Sequence, residues 1–516
     1  MAAWALALPA VLTSSPTLGA AGLPSAGATD TGAWTVYHHD LVGSGVAQGV
    51  SSVDTGTRAW TSPPLDGQLY GAPLVAGGRV YVATENDTVY ALSSSTGAVL
   101  WSNHLARPVP ASSLPCGDIE PTVGITGTPV VDVARGELFV VADELAHGAP
   151  AHVLVGLSTS TGSTELTRSV DPVGANAAAL LQRTGLTLAS GQVVFGFGGN
   201  YGDCSTYRGW VVGVPEAGGP PVDFGVDTGP GQSQGAVWMG GAAPAVDGSG
   251  NVWVGVGNGS VTSASRPYDH SNSVLELSPA LRLVQYFAPS SWAPDNARDL
   301  DLSMAPALLP DGQVVIAGKA GTAYLLDGAH LGGIGGQRAS LGSVCPDGMD
   351  GGSAVVGTVV YLPCLGGIVA VRVGTSPPAL DLEWASGTGG GPPIVAADLV
   401  WTIGQDGTLS GLDPTTGSVR QQASVGAPAN HFPTPSVGDG LLVAASADRV
   451  VAFAASPNPA SVSPSPTTTG PGHRPVVSGA ASGLPAGAVA GIVIGALVVI
   501  GAVAWWLVRR RKRPPP

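Results

Sequence analysis

The chain has 516 residues, of which 77 are glycine, 44 proline and only 11% charged, with a formal net charge of −14. Abundant glycine and proline suit a turn-dense all-β protein, and the sparse charge is still ample for a compact surface. The acidic balance disfavours nucleic acid and anionic lipid as partners.

In chain order, residues 1–28 open with the apolar run 2–12 and offer a small-residue cleavage site at Ala26-Gly-Ala28. This is the only candidate export signal, although a basic start is missing. From Gly71 a phrase of four short apolar runs begins, separated by Gly, Asp, Asn and Ser turns and closed by Trp101. It returns with openings at Gly127, Gly185, Ala242, Met304, Gly352, Gly391 and Pro433. A four-stranded unit repeated every ~40–60 residues is the signature of a β-propeller. The count predicts an all-β domain over 34–455 with eight blades, or seven if the unit at Gly185 is not a blade. The last unit stops after Val450–Phe453 without an outer strand, and the stretch around Trp60 is an outer strand without a blade. Pairing them closes the ring and removes two free sheet edges. Trp60 is then expected beside Val450–Phe453 and not against the first blade.

Residues 456–485 are rich in Pro, Ser, Thr and Gly and read as an extended stalk. Residues 486–508 are uncharged and apolar, long enough to span a hydrocarbon core of ~30 Å. The run ends in Trp505-Trp506 and the basic tail 509–516 follows, so the positive-inside rule puts the tail in the cytoplasm and the propeller outside a cell membrane. Gly487, Gly491 and Gly495 align on one face of that helix and would permit self-association. Setting aside the basic residues at 509–513 leaves 16 of the 21 basic residues against 35 acidic ones, about −19 for the exported part.

Four cysteines allow three pairings. Cys116 and Cys345 precede first strands, whereas Cys204 and Cys364 lie between second and third strands. Those positions share a propeller face, which makes Cys116–Cys204 and Cys345–Cys364 sensible disulfides in an oxidising compartment. Metal ligation is the rival reading, disfavoured by the lack of a Cys-x-x-Cys spacing. No nucleophile elbow, His-Glu-x-x-His or phosphate loop occurs. His38-His39 beside Asp40 read as structural groups. Asn86 and Asn258 are Asn-x-Ser/Thr sites that matter only in a glycosylating host.

The repeat phrase, with Gly78-Arg-Val-Tyr-Val-Ala-Thr and Val89-Tyr-Ala-Leu leading to Gly97 and Trp101, resembles the repeat of pyrroloquinoline-quinone (PQQ) enzymes and their non-catalytic relatives. The resemblance implies an eight-bladed ring but not a chemistry, because dehydrogenases and scaffolds share the repeat. In the dehydrogenases a tryptophan floors the quinone, Glu and Asn hold calcium, an aspartate is the base and Lys or Arg faces the quinone oxygens. The positions similar to these are Trp238 (floor), Asn258 (calcium), Asp301 (base) and Lys319, with Asp203 standing one residue out of register for the glutamate. Adjacent cysteines and a Cys-x-x-Cys-His haem site are missing. The reading from sequence is therefore a membrane-tethered extracytoplasmic platform for a protein, peptide or glycan, with no cofactor and no chemistry of its own. The alternative is a PQQ- and calcium-dependent dehydrogenase at the outer membrane face.

Overall fold

The computed structural model describes residues 32–302 and 304–457. Eight antiparallel units of four strands form, the unit at Gly185 among them, and two carry a short fifth strand, Leu180–Leu181 and the parallel Gly333–Ile334. Blades 1–4 begin with the strands Leu74–Ala76, Val130–Asp132, Thr187–Ala189 and Ala245–Val246. Blades 5–8 begin with Ala307–Leu308, Ala354–Val356, Ile394–Ala396 and Ser436–Gly438. Second strands such as Val80–Val82, Val193–Phe195 and Val314–Ile316 are continuously apolar and buried, because each is sandwiched between neighbouring blades. Outer strands alternate instead, as in Val99–His104, where one face meets water.

The ring closes as the sequence implies. Val50–Thr61 pairs with Arg449–Pro457 to complete blade 8, with Trp60 opposite Ala452 and Thr61 opposite Val451. That third strand runs to Pro457, two residues into the stretch read as stalk. The expectation for Trp60 needs a correction, because only its backbone belongs to blade 8. Its ring crosses to blade 1, where Nε1 donates to Ser94 O at 2.7 Å. Trp101 and Trp384 do the same toward the next blades, donating to Thr159 O at 3.1 Å and Pro414 O at 2.9 Å. Each ring lies on a turn glycine at positive φ: Gly97, Gly162 or Gly417. A Cβ at Gly162 would stand 2.5 Å from the Trp101 ring, so the Leu-x-x-x-x-Gly turn is a socket for the preceding blade's tryptophan.

Residues 32–47 line the channel at one end, hydrogen-bonding in turn to the first strands of successive blades, for example Trp34 to Val75 and Leu41 to Val246. Both predicted disulfides are formed, with Cα separations of 6.2 Å for Cys116–Cys204 and 5.2 Å for Cys345–Cys364. Among the described residues no helix is long and apolar enough to cross a membrane. The expectations for 1–28, the stalk beyond Pro457, the span 486–508 with its glycines, and the tail fall outside the described residues.

Candidate functional site

Antiparallel blades place the strand 2–3 loops and the inter-blade connections together at one end of the ring. Four of the five singled-out residues meet there, at the seam of blades 3, 4 and 5. Trp238 follows blade 3 and caps the short turn Met239–Gly241. Asn258 follows the blade 4 strand Val252–Val256. Asp301 precedes the first strand of blade 5, and Lys319 sits in that blade's strand 2–3 turn.

Their contacts form one network. The Lys319 Nζ lies 2.5 Å from Asp301 Oδ2 and 3.4 Å from Asp299 Oδ2. The same ammonium is 5.9 Å from the centre of the Trp238 ring. The Asn258 backbone N–H donates to Asp301 Oδ1 at 2.5 Å, and its side-chain amide donates to Asp299 Oδ1 at 2.9 Å. Asp301 is fully buried, and burial raises its pKa against the opposing pull of Lys319. Burial also works against the lysine charge, but Asp301 and Asp299 hold its pKa above the ordinary value. At 2.5 Å the contact is an ion pair. The Asn258 amide is buried and donates to Asp299, so it is no acceptor for a glycan.

Asp203 stands apart in character. It lies in a left-handed turn beside Cys204, with its backbone N–H on Asn200 O. Burial raises its pKa, while Tyr207 beside it pulls the other way. Among the described residues no group of three or more His, Cys, Asp or Glu is arranged to hold a metal ion. Asp301 accepts from the Asn258 N–H and pairs with Lys319, so that of the five singled-out residues only Asn258 and Asp203 offer a buried oxygen, Oδ1 in each, without a partner. Calcium takes about 6–8 oxygens, so this donor set does not fit a calcium cage. The floor position fits a stacked ring better, because Trp238 is partly open and lines a cavity.

That cavity, about 160 Å³, is walled by Tyr70, Tyr201, Phe432, Trp238, Lys319 and Arg183, with Asp118 and His431 at its rim. Arg183 is the residue that sequence reasoning missed. It lies on the connection between Leu180–Leu181 and blade 3, and donates to Asn430 Oδ1 at 2.7 Å. Burial lowers its pKa, opposed first by Glu85. A lone arginine in an apolar inter-blade connection, in a chain this poor in cations, was the available signal. His431 Nε2 and Asp118 Oδ2 face each other at 3.7 Å across the rim. His38 is structural: it stacks on Tyr37 at 4.2 Å, and burial lowers its pKa to about 4.

A ring of eight such blades around a mouth of this kind defines the class, and the comparisons agree. The profile of the outer membrane protein assembly factor BamB matches residues 43–265. The chain carries a PQQ-like β-propeller. Quinohemoprotein alcohol dehydrogenase ADHIIG from Pseudomonas putida HK5 superposes with a TM-score of 0.62 at 15% identity, covering 82% of this chain and 80% of that one. The quinohemoprotein alcohol dehydrogenase of Comamonas testosteroni gives 0.61 at 15%, covering 83% and 81%. BamB from Moraxella catarrhalis gives 0.51 at 15%, covering 77% of this chain and 99% of that one. At such identity the likeness shows the fold alone. No curated protein matches the chain significantly in sequence.

Proposed function

We propose that the protein is a recognition platform, tethered to a cell membrane by residues 486–508 with its ring outside, and that it binds a protein, peptide or glycan at the mouth over Trp238. The observation that carries this reading is the aromatic-walled cavity beside a sequestered aspartate. Asp301, the one candidate base, is buried and held by Lys319, whereas the rings of Tyr70, Tyr201, Phe432 and Trp238 are arranged around an open space. Aromatic rings supply contact area at small entropic cost and dominate recognition energetics. The test is titration of the purified protein with oligosaccharides and peptides, read by calorimetry. Saturable binding lost in Trp238→Ala supports the reading, and binding untouched by that change sinks it.

A second reading has its own support. Trp238, Asn258, Asp301 and Lys319 converge as a quinoprotein dehydrogenase would require, and the BamB and dehydrogenase likenesses are equally compatible with the fold. Under that reading Trp238 would floor the quinone and Lys319 would face its oxygens, with PQQ supplying the redox chemistry. The calcium ligands are the part the residues do not provide.

A further inference from the structure

The end of the ring opposite the mouth carries a gap of a defined kind. There residues 32–47 bond the channel-facing edge of one blade after another: Gly32 O accepts from Asp439 of blade 8, Thr35 O from Val131 of blade 2, and Ser44 O from Val355 of blade 6. In blades 1, 2, 4, 6 and 7 the blade residue used is two positions beyond Pro73, Pro129, Pro244, Ser353 or Pro393, namely Val75, Val131, Val246, Val355 or Val395, whereas in blade 8 it is Asp439, two beyond the corresponding Val437. In blade 5 the corresponding residue is Leu308, two beyond Pro306. Its neighbour Leu309 donates across the ladder to Gln313 O at 2.9 Å. By the alternation of an antiparallel pair, Leu308 therefore turns its N–H and C=O toward the channel.

No bond from residues 32–47 reaches Leu308 among the described residues. At blade 3 Tyr37 packs against Gly185 and leaves no space. At blade 5 a groove of about 600 Å³ stands open instead. Val42, Leu308 and Pro310 supply its apolar surface, and Asp247, Asp311 and Asp327 its charge, with no lysine or arginine on the lining. Asp247 and Asp311 spend their oxygens on turn N–H groups and Trp253 Nε1, which leaves the charge in place. Arg338 answers Asp327 from one side.

We propose that this groove is a strand-addition site for an extended, cationic segment of a partner protein. The free edge at Leu308 supplies main-chain bonds of the kind that blades 1, 2, 4, 6 and 7 make with residues 32–47, and the carboxylates select basic side chains. The site lies at the other end of the ring from Trp238, so its fate and that of the mouth are separable. A fluorescein-labelled Val-Arg-Val-Arg-Val peptide, titrated into the full-length protein in detergent and followed by anisotropy, tests it. Saturable binding is expected, weakened at least tenfold by Asp311→Lys, by Val42→Arg and by N-methylation of the peptide backbone, and not competed by Val-Glu-Val-Glu-Val. The proposal is overturned by an N-methylated peptide that binds equally well, by insensitivity to both substitutions, or by absence of saturation at millimolar peptide. Concentration-dependent dimerisation in sedimentation that Val42→Arg abolishes would also overturn it, by making a second copy the occupant.

Discussion

The two ends of the channel are built on different principles. At the end opposite the mouth residues 32–47 thread past the blades and spend backbone hydrogen bonds on their first strands, with His38 buried and neutral among them. At the mouth longer connections converge, and side chains take over: an ion pair, a guanidinium and four aromatic rings. The backbone end ties first strands together, while the side-chain end presents a cavity. A scaffold that secures closure with main-chain bonds leaves its loops free to vary, which is why one fold hosts unrelated functions.

The largest expected effect falls on closure. Deleting residues 53–63 removes the outer strand of blade 8 together with the Trp60 ring that docks on blade 1. Both edges would then be exposed, so size-exclusion chromatography should show aggregates. A monomeric product with an unchanged melting point would mean that closure does not depend on this strand.

Next comes the tryptophan socket. Trp101→Ala deletes a large half-buried ring and its bond to Thr159, and should cost about 2–3 kcal/mol in denaturant unfolding, below the range for a fully buried ring. A loss below about 1 kcal/mol would show that the blade 1–2 seam does not rely on it.

At the mouth, Lys319→Met leaves Asp301 buried without its counter-charge and should cost about 3 kcal/mol, the lower part of the range for a broken buried pair because the lysine is partly exposed. Adding Asp301→Asn should restore most of the loss, and a double-mutant cycle reads the coupling. Additive losses would show that the two residues do not act as a pair.

The smallest effect is a pH dependence between blades 1 and 2. Burial raises the pKa of Asp143 to about 7, with His152 opposing, and that of Glu85 to about 7. His152 Nδ1 meets Asp171 at 2.7 Å, and its Nε2 lies 3.6 Å from Asp143. Groups with raised pKa hold protons in the folded state that the unfolded chain has released. Their contribution is therefore intact below the unfolded carboxylate values and declines as pH rises toward about 7. Asp143→Asn should flatten the fall in melting temperature between pH 5 and pH 8. An unchanged slope would remove Asp143 from the account.

Much of the ring was legible because a blade repeats its own local rules: an apolar run, a glycine turn and a closing tryptophan. The Gly97, Gly162 and Gly417 turns show the limit of that legibility. Their spacing was visible, but the docking of the preceding blade's tryptophan joins residues some 35–60 positions apart, and it overturned the placement of the Trp60 ring. At the mouth, Trp238, Asn258, Asp301 and Lys319 could be named by resemblance. Whether Asp301 is free or paired depends on a 2.5 Å contact that no spacing encodes. Arg183 and Leu308 were invisible for the same reason, since each matters through what does or does not stand beside it in space.

The central claim is that the mouth over Trp238 recognises a ligand and does not oxidise one. The most direct measurement adds PQQ and Ca²⁺ to the purified protein and follows dye-linked oxidation of primary alcohols. The account predicts no turnover above that of the Asp301→Asn protein. Turnover that depends on PQQ and disappears in Asp301→Asn would contradict it and establish the dehydrogenase.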